Sequence, residues 1–600
     1  MDIKKKENIE FFHQVVDCQY ACPAHTPVPE YIRLIAQGKY NEAYMVNWQS
    51  NVFPGILGRT CDRPCEPACR RGRLGDDEEP VAICRLKRVA SDNKNNISSL
   101  LPNIPTKKNG KRIALIGAGP ASLTVARDLM PLGYNITLYD EQYKGGGMIR
   151  SQIPSFRLPD EVLDEEVNYV LDMGVHTLFN QRVDSLKAVL QQNFDAVFIG
   201  TGAPKGRDLA LPGREEARAN IHIGVEWLAN VAFKHTSAIG KKVIVLGGGN
   251  TAMDCCRTAL RLGGKDVTVT VRSPFESMKA SPWEIEDAQH EGIPILDNHV
   301  PKEFIVEDSK LVAMRFEKVK AEFDEQGNRS LIPLDEPPVI IECDDVLIAV
   351  GQSNSFPWIE RDIGIAFNKW DMPKVNRETF ATTHEKVFIG GDAAFGPENI
   401  ITAVAHGHQA AISIDLYCHG KDIKQRPDAG VNLLSQKMGV HEWSYDSPVS
   451  NDDRNAVPLM ELKEALKNLS NEVELGFDEQ RAISEAARCL NCDMQTVFTE
   501  DKCIECDACV DVCPTKVLTM TGKEEDESTL RDKLTIPAKN LEQPLYVSGD
   551  LATGRVMVKD EDICLHCGLC AERCPTGAWD LQQFTYIEAK ACDNLAHKAE

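Results

Sequence analysis

Two runs near the carboxyl end, Cys503-x2-Cys506-x2-Cys509-x3-Cys513-Pro and Cys564-x2-Cys567-x2-Cys570-x3-Cys574-Pro, carry the plainest chemistry in the sequence. Three thiolates on one tight loop bind three irons of a [4Fe–4S] cubane, and in such paired runs the fourth cysteine ligates the other cluster. Cys513 is therefore expected to complete the cluster of Cys564, Cys567 and Cys570, and Cys574 that of Cys503, Cys506 and Cys509. Zinc also binds CxxC pairs, but two full repeats that both end in Cys-Pro favour iron and sulfide.

Two glycine turns offer a second kind of chemistry. In IGAGPAS, Gly117 allows a tight turn and Gly119 lets backbone approach a pyrophosphate, while Pro120 and Ala121 open a helix whose N-terminus favours anions. Asp140 ends the next apolar stretch, where an acid accepts a ribose hydroxyl. Ser122 replaces the usual third small glycine. The second turn, Gly247-Gly248-Gly249-Asn250, continues into Thr251 and Asp254. No acid ends its second strand. Arg272 stands there instead, as a ligand for the 2′-phosphate of NADP or as a surface cation.

With these motifs in order, the sequence resembles the glutamate synthase small-subunit family. That family also includes the amino-terminal half of dihydropyrimidine dehydrogenase and related ferredoxin-linked reductases. The resemblance rests on GAGPAS, GGGMIRSQIPSFRLP, IGTGAPKG, GGGNTAMD, AVGQSN and IGGDAAFGPENIITAVAHG, spread over roughly residues 15–420. It implies FAD at the first turn and NAD(P)H at the second. It adds Gly147, Met148, Arg157, Thr201, Gly202, Gly351, Gly391 and Asp392 to the cofactor-binding candidates. The helix after Asn399, with Ile400 and Ala403, is expected to close on the flavin. Many members carry two arginines where this chain has Arg272-Ser273.

The resemblance also gives meaning to a sparser set of cysteines. Cys18, Cys22, Cys61, Cys65, Cys69 and Cys84 are six, whereas two cubanes take eight thiolates. Relatives supply the missing pair from a segment resembling ARCLxC just ahead of the first block. Here ARCLNC lies at 487–492, next to the carboxyl-terminal repeats. Cys489 and Cys492 are therefore expected to fold back and join Cys18 and Cys69, leaving Cys22, Cys61, Cys65 and Cys84 for the other cluster. Lys87 takes the place of a glutamine ligand in dihydropyrimidine dehydrogenase and cannot ligate while charged. The competing reading makes Cys489 and Cys492 buried small hydrophobes or extra ligands of the terminal domain.

These residues need elements to hold them. With 600 residues the chain exceeds one core and suggests about four domains. The expected class is α/β multidomain: a helical [4Fe–4S] domain at 1–108, an FAD domain at 109–238 resumed at 351–420, and an NAD(P)H domain at 239–350. A polar linker with a helix follows at 421–488, then an α+β ferredoxin-like domain at 489–600. Both nucleotide domains read as strand, turn, helix, strand. Cys255 and Cys256 are read as core, Cys343, Cys418 and Cys592 as isolated, and His406 and His408 as packing or solvated residues.

A formal charge of −23 disfavours nucleic acid and anionic membrane as partners. No apolar run is long enough to span a bilayer and no secretory signal opens the chain. Twenty-one cysteines without an export signal point to metal ligands in a reducing cytoplasm. The chain thus reads as an NAD(P)H-dependent converter of hydride into single electrons, with FAD, NAD(P)H and four [4Fe–4S] clusters and no dedicated acid or base. A partner oxidoreductase subunit, or ferredoxin, would exchange those electrons. The second reading is a stand-alone ferredoxin:NAD(P) oxidoreductase, including an electron-bifurcating one, and the third a non-catalytic scaffold.

Overall fold

The computed structural model describes residues 9–74, 78–324, 329–438, 449–524, 526–538 and 540–591. Cys592 lies outside them. The chain forms two compact units, each assembled from separated segments.

One unit comprises residues 102–425 and 458–475 and holds two parallel five-stranded sheets. In the first sheet Arg112–Ile116 lies between Asn135–Tyr139 and Ala196–Ile199, with His176–Leu178 and Val387–Ile389 at the edges. In the second, Lys242–Leu246 lies between Asp266–Thr270 and Asp345–Ile348, with Ile295–Leu296 and Ile221–Ile223 outside. The central strands are nearly continuous runs of buried Ile, Val, Leu and Ala, as expected when both faces of a parallel sheet are covered. The register of each sheet sets its glycine turn at the carboxyl end of a central strand, where open α/β sheets bind ligands. An antiparallel sheet of His299–Glu307, Lys310–Phe323, Arg329–Pro333 and Val339–Glu342 is inserted in the second half.

The other unit comprises residues 1–101, 426–457 and 476–600. Its amino-terminal helices, Val28–Ala36, Tyr40–Asn51, Pro54–Thr60 and Ile83–Asn93, enclose a core of Tyr31, Trp48, Phe53 and Leu86. Its terminal part has two three-stranded antiparallel sheets and two matching short helices, Ala508–Val512 and Leu569–Arg573.

Described residues of the stretch expected to be a linker, 421–488, are built into the two units. Gly430–Ser435 pairs with Trp579–Ile587, Glu479–Ala486 packs beside Val28–Ala36, and Val473 with Ala465 buries Phe156 in the nucleotide-binding unit. Its polar composition concealed a few apolar anchors, which act beside the strand pairing and polar contacts such as Arg454 with Glu66. The boundary at 489 also fails as a domain edge, since the tail up to Asp493 is tied to the amino-terminal helices. Arg33 grips Asp493 with both guanidinium nitrogens, at 2.6 and 2.5 Å.

Candidate functional site

The first glycine turn is built from backbone. Gly117 has φ +93°, and a Cβ there would lie 2.7 Å from Gly200 O. Above Gly119 the space is open, since a Cβ would meet only Gly200 O at 3.6 Å. That open room lies over the first turn of the helix Pro120–Leu129, whose leading N–H groups suit a pyrophosphate. Asp140 follows the strand Asn135–Tyr139, and its carboxylate accepts from Ala118 N at 2.6 Å and Gln142 N at 2.8 Å. The Ser122 departure is matched by Gly200, where a Cβ would fall 2.3 Å from Ser122 Oγ.

Residues far apart in sequence meet at this turn. A Cβ on Gly147 would sit 2.7 Å from Gly119 Cα, and one on Gly391 would touch the Cβ atoms of Ala121 and Ala403, at 3.2 and 3.5 Å. One on Gly117 would lie 3.1 Å from Thr201 Cα, and one on Gly202 3.2 Å from Met148 Sδ. Asn399 caps the helix Ile400–Cys418 by accepting from Thr402 N at 2.9 Å. Burial raises the Asp392 carboxyl to about 6, against the opposing N–H of Glu398. On the same helix His406 lies against Phe380 and Phe395, and burial lowers it to about 4. His408 binds Asp128 at 2.5 Å. Neither histidine therefore belongs to solvent.

At the second turn Gly247 has φ +143° and a Cβ would lie 2.2 Å from Ala349 O, while Gly249 has nothing within 4 Å of its own. The helix Asn250–Arg261 begins there, Thr251 lies half-buried in its first turn, and Asn250 Oδ1 accepts from Ser281 N at 2.8 Å. Gly351, three residues past the strand Asp345–Ile348, has φ +115°. Two expected cofactor residues are engaged elsewhere. Arg157 pairs with Asp254 at 2.6 Å and also with Glu284, all three nearly enclosed. In this buried network one cation faces two carboxylates, and burial raises both acids while Arg157 lowers them in part. Arg272 is exposed, two residues past the end of Asp266–Thr270, with no ion-pair partner among the described residues. Beside it, Arg329 Nη1 donates to Ser273 Oγ at 2.6 Å. Sequence reasoning missed Arg329, because only the inserted hairpin brings it to the place of the absent second arginine.

All twenty described cysteines are free thiols. Cys18, Cys69, Cys489 and Cys492 line one cavity with Arg70 and Arg71. Burial pushes the Cys18 thiol well up, and Cys69, Cys492 and Cys489 push it further. Cys489 is held up at about 12, chiefly by burial. Arg488 fixes this segment: its guanidinium donates to Glu79 O, Pro80 O and Asp452 O and pairs with Glu485 at 2.9 Å. Glu485 in turn accepts from Ala82 N at 2.8 Å.

The remaining amino-terminal cysteines form a second group. Cys61 and Cys65 lie against Cys84, whose thiol their interaction holds well below its ordinary range. Lys87, one helical turn past Cys84 and 3% exposed, faces Cys84, Cys61, Cys65 and Cys22. The chemistry of both donor sets, buried or half-buried free thiols gathered without disulfide or carboxylate among them, fits iron–sulfur clusters.

In the terminal repeats the residue two places after the first cysteine is left-handed, Glu505 at φ 55° and His566 at φ 51°. Its N–H turns onto the Cys503 and Cys564 sulfurs at 3.4 and 3.5 Å. Cys574 lies beside Cys503 and Cys509, and Cys570 beside Cys564 and Cys567. Cys506 and Cys567 are exposed, and Cys513 caps Ala508–Val512.

Comparison with known proteins agrees along the chain. A model described as pyridine nucleotide-disulphide oxidoreductase matches residues 111–407, dihydropyrimidine dehydrogenase domain II with a 4Fe-4S cluster matches 13–98, and a 4Fe-4S dicluster domain matches 502–578. The NADP(+)-dependent formate dehydrogenase subunit beta of Moorella thermoacetica is 33% identical over 79% of this chain and 70% of its own length. The NADPH-Fe(3+) oxidoreductase subunit beta of Geobacter sulfurreducens is 31% identical over 82% of this chain and 77% of its own. The glutamate synthase [NADPH] small chain of Halomonas elongata is 32% identical over 66% and 87%. The chain belongs to the glutamate synthase small-subunit family. This chain is an NAD(P)H-dependent oxidoreductase that carries FAD and [4Fe–4S] clusters, transfers electrons and works with a partner subunit. Among the described residues no helix is long and apolar enough to cross a membrane.

Proposed function

We propose that this subunit exchanges a hydride between NADPH and FAD in its nucleotide-binding unit and carries four [4Fe–4S] clusters in the other. Single electrons would go to or come from a partner oxidoreductase in the cytoplasm, with the terminal substrate site on that partner. The observation that carries this reading is the single cavity lined by Cys18, Cys69, Cys489 and Cys492. It accounts for the two cysteines that no terminal repeat needs.

On this reading Cys18, Cys69, Cys489 and Cys492 hold one cluster and Cys22, Cys61, Cys65 and Cys84 a second. Cys503, Cys506, Cys509 and Cys574 hold the third, and Cys564, Cys567, Cys570 and Cys513 the fourth. Bound flavin supplies a two-electron acceptor that releases electrons singly, and the clusters supply one-electron capacity. The chain's own part is to bind and orient. The Pro120 helix end receives the flavin pyrophosphate, and Asp140 holds the turn in shape while offering its carboxylate to the ribose. The Asn250 helix end receives the nicotinamide nucleotide. Arg272 supports a preference for NADPH, with Arg329 and Ser273 beside it. The Arg157–Asp254–Glu284 network fixes the segment after Met148 against the nucleotide helix.

The test is anaerobic purification of the full chain, assay of flavin, iron and sulfide, and separate titration with NADPH and NADH. One FAD with about sixteen irons, bleached preferentially by NADPH, is the expected result. About eight irons would remove the amino-terminal assignments, and bleaching by NADH alone would remove the role of Arg272.

A further inference from the structure

Arg70 stands out among the buried side chains of the iron–sulfur unit. It is 1% exposed and lines the cavity of Cys18, Cys69, Cys489 and Cys492. Nη2 donates to Val15 O and to Asp17 Oδ2, at 2.8 and 2.7 Å. Nη1 donates to His566 Nε2 at 2.6 Å and reaches Cys564 O at 3.5 Å. Nε is buried without a partner among the described residues.

His566 extends the connection. Its Nδ1 donates to Met494 O at 2.8 Å, which fixes the tautomer and leaves Nε2 to accept from Arg70. Its backbone N–H turns onto the sulfur of Cys564. A continuous hydrogen-bonded path therefore runs from the wall of the four-cysteine cavity, through one guanidinium and one imidazole, to the first thiol of the second repeat. The same guanidinium feels both Cys492 and Cys564 electrostatically. For the first repeat, Cys503, no such link is present among the described residues.

An arginine paired with one aspartate in a protein core is ordinarily structural. Asp17, however, also pairs with Arg73 at 2.8 Å, and Arg73 with Asp562, so two cations balance two carboxylates and loss of Arg70 leaves a net negative charge there. Charge and hydrogen bonds beside the sulfurs are what tune iron–sulfur potentials. We propose that Arg70 makes the Cys18, Cys69, Cys489, Cys492 site and the Cys564, Cys567, Cys570 site the neighbouring pair of the four, and that its one charge sets the reduction potentials of both. Arg70 acts as a positioning residue. The inference rests on the ligand assignment proposed above.

The experiment is an EPR-monitored redox titration of the anaerobic holoprotein, unaltered and as Arg70→Met and Arg70→Lys. Cys489→Ser and Cys567→Ser serve to assign the signals. Arg70→Met is expected to lower two potentials together, each by about tenfold in the reduction equilibrium, which is about 59 mV for one electron. The Cys22 and Cys503 sites should stay in place, and Arg70→Lys should move the first two much less. A shift at one site alone, at none, or equally at all four would overturn the proposal. If Arg70→Met costs iron, the proposal requires the loss to fall on these two signals, and loss elsewhere contradicts it. Failure of the underlying assignment would show separately, as too few irons in the unaltered protein.

Discussion

The terminal repeats and the amino-terminal cysteine sets use the same local device to different ends. In both, the residue two places past a cysteine is left-handed and its N–H faces the sulfur: Glu505 and His566 in the repeats, Arg63 and Asn491 in the other sets. In the repeats, three thiols follow on one loop. Beside Cys489 and Cys492, the other two members of the set arrive from Cys18 and Cys69, more than four hundred residues away in sequence. The turn that aims a thiol is thus local, whereas membership of a set is a tertiary property.

This contrast is strongest at Glu485. It is fully buried and joins Arg488 to the backbone of Ala82 and Asn455. Glu485→Ala leaves Arg488 enclosed without its carboxylate, at a cost of about 3–5 kcal/mol. Denaturant unfolding should show that loss. Iron analysis should show the Cys489 set emptied while the terminal repeats stay filled, and equal loss at both would break the comparison.

A milder form of the same test is Asp493→Asn. It removes the charge from the two hydrogen bonds of Arg33 and should cost about 1.5–3 kcal/mol. Unfolding should register it, with a weakened Cys489 set as the specific sign. An intact set would mean that the Arg488 contacts alone suffice.

How much was readable in the sequence follows the same division. Both glycine turns, the repeats and the parallel sheets are local patterns, and spacing was enough to place them. The grouping of Cys489 and Cys492 with Cys18 came from counting thiolates against a family pattern, since no local feature encodes it. The features that spacing did not show were those whose surroundings are tertiary. Arg157 and Asp254 lie in motifs yet pair with each other in the interior, Arg329 comes from an inserted hairpin, and described parts of 421–488 are held by a strand pairing and by apolar anchors such as Val473.

The nucleotide-binding unit sharpens the division further. Arg272→Ala should raise KM for NADPH about tenfold, or about 1.4 kcal/mol, and leave KM for NADH unchanged in steady-state assays. An equal rise for both would make Arg272 a surface cation.

The smallest effect concerns Asp392, a motif residue whose charge state is set by its surroundings. Its folded value is raised to about 6, against about 3.9 when unfolded. The folded state therefore holds a proton that the unfolded chain has released. Stability contributed by that proton falls as pH rises from about 4 to about 6 and is lost above. At a half-buried group this amounts to about 1 kcal/mol. Asp392→Asn should flatten that slope in unfolding followed by flavin absorbance, and an unchanged slope would assign it to another group.

The most direct measurement is iron and sulfide analysis of the anaerobic Cys489→Ser, Cys492→Ser double variant beside the unaltered protein. The account predicts a fall of about four irons and loss of one EPR signal, with both terminal-repeat signals retained. An unchanged iron content, or loss of a terminal-repeat signal instead, would contradict a site assembled from the two ends of the chain.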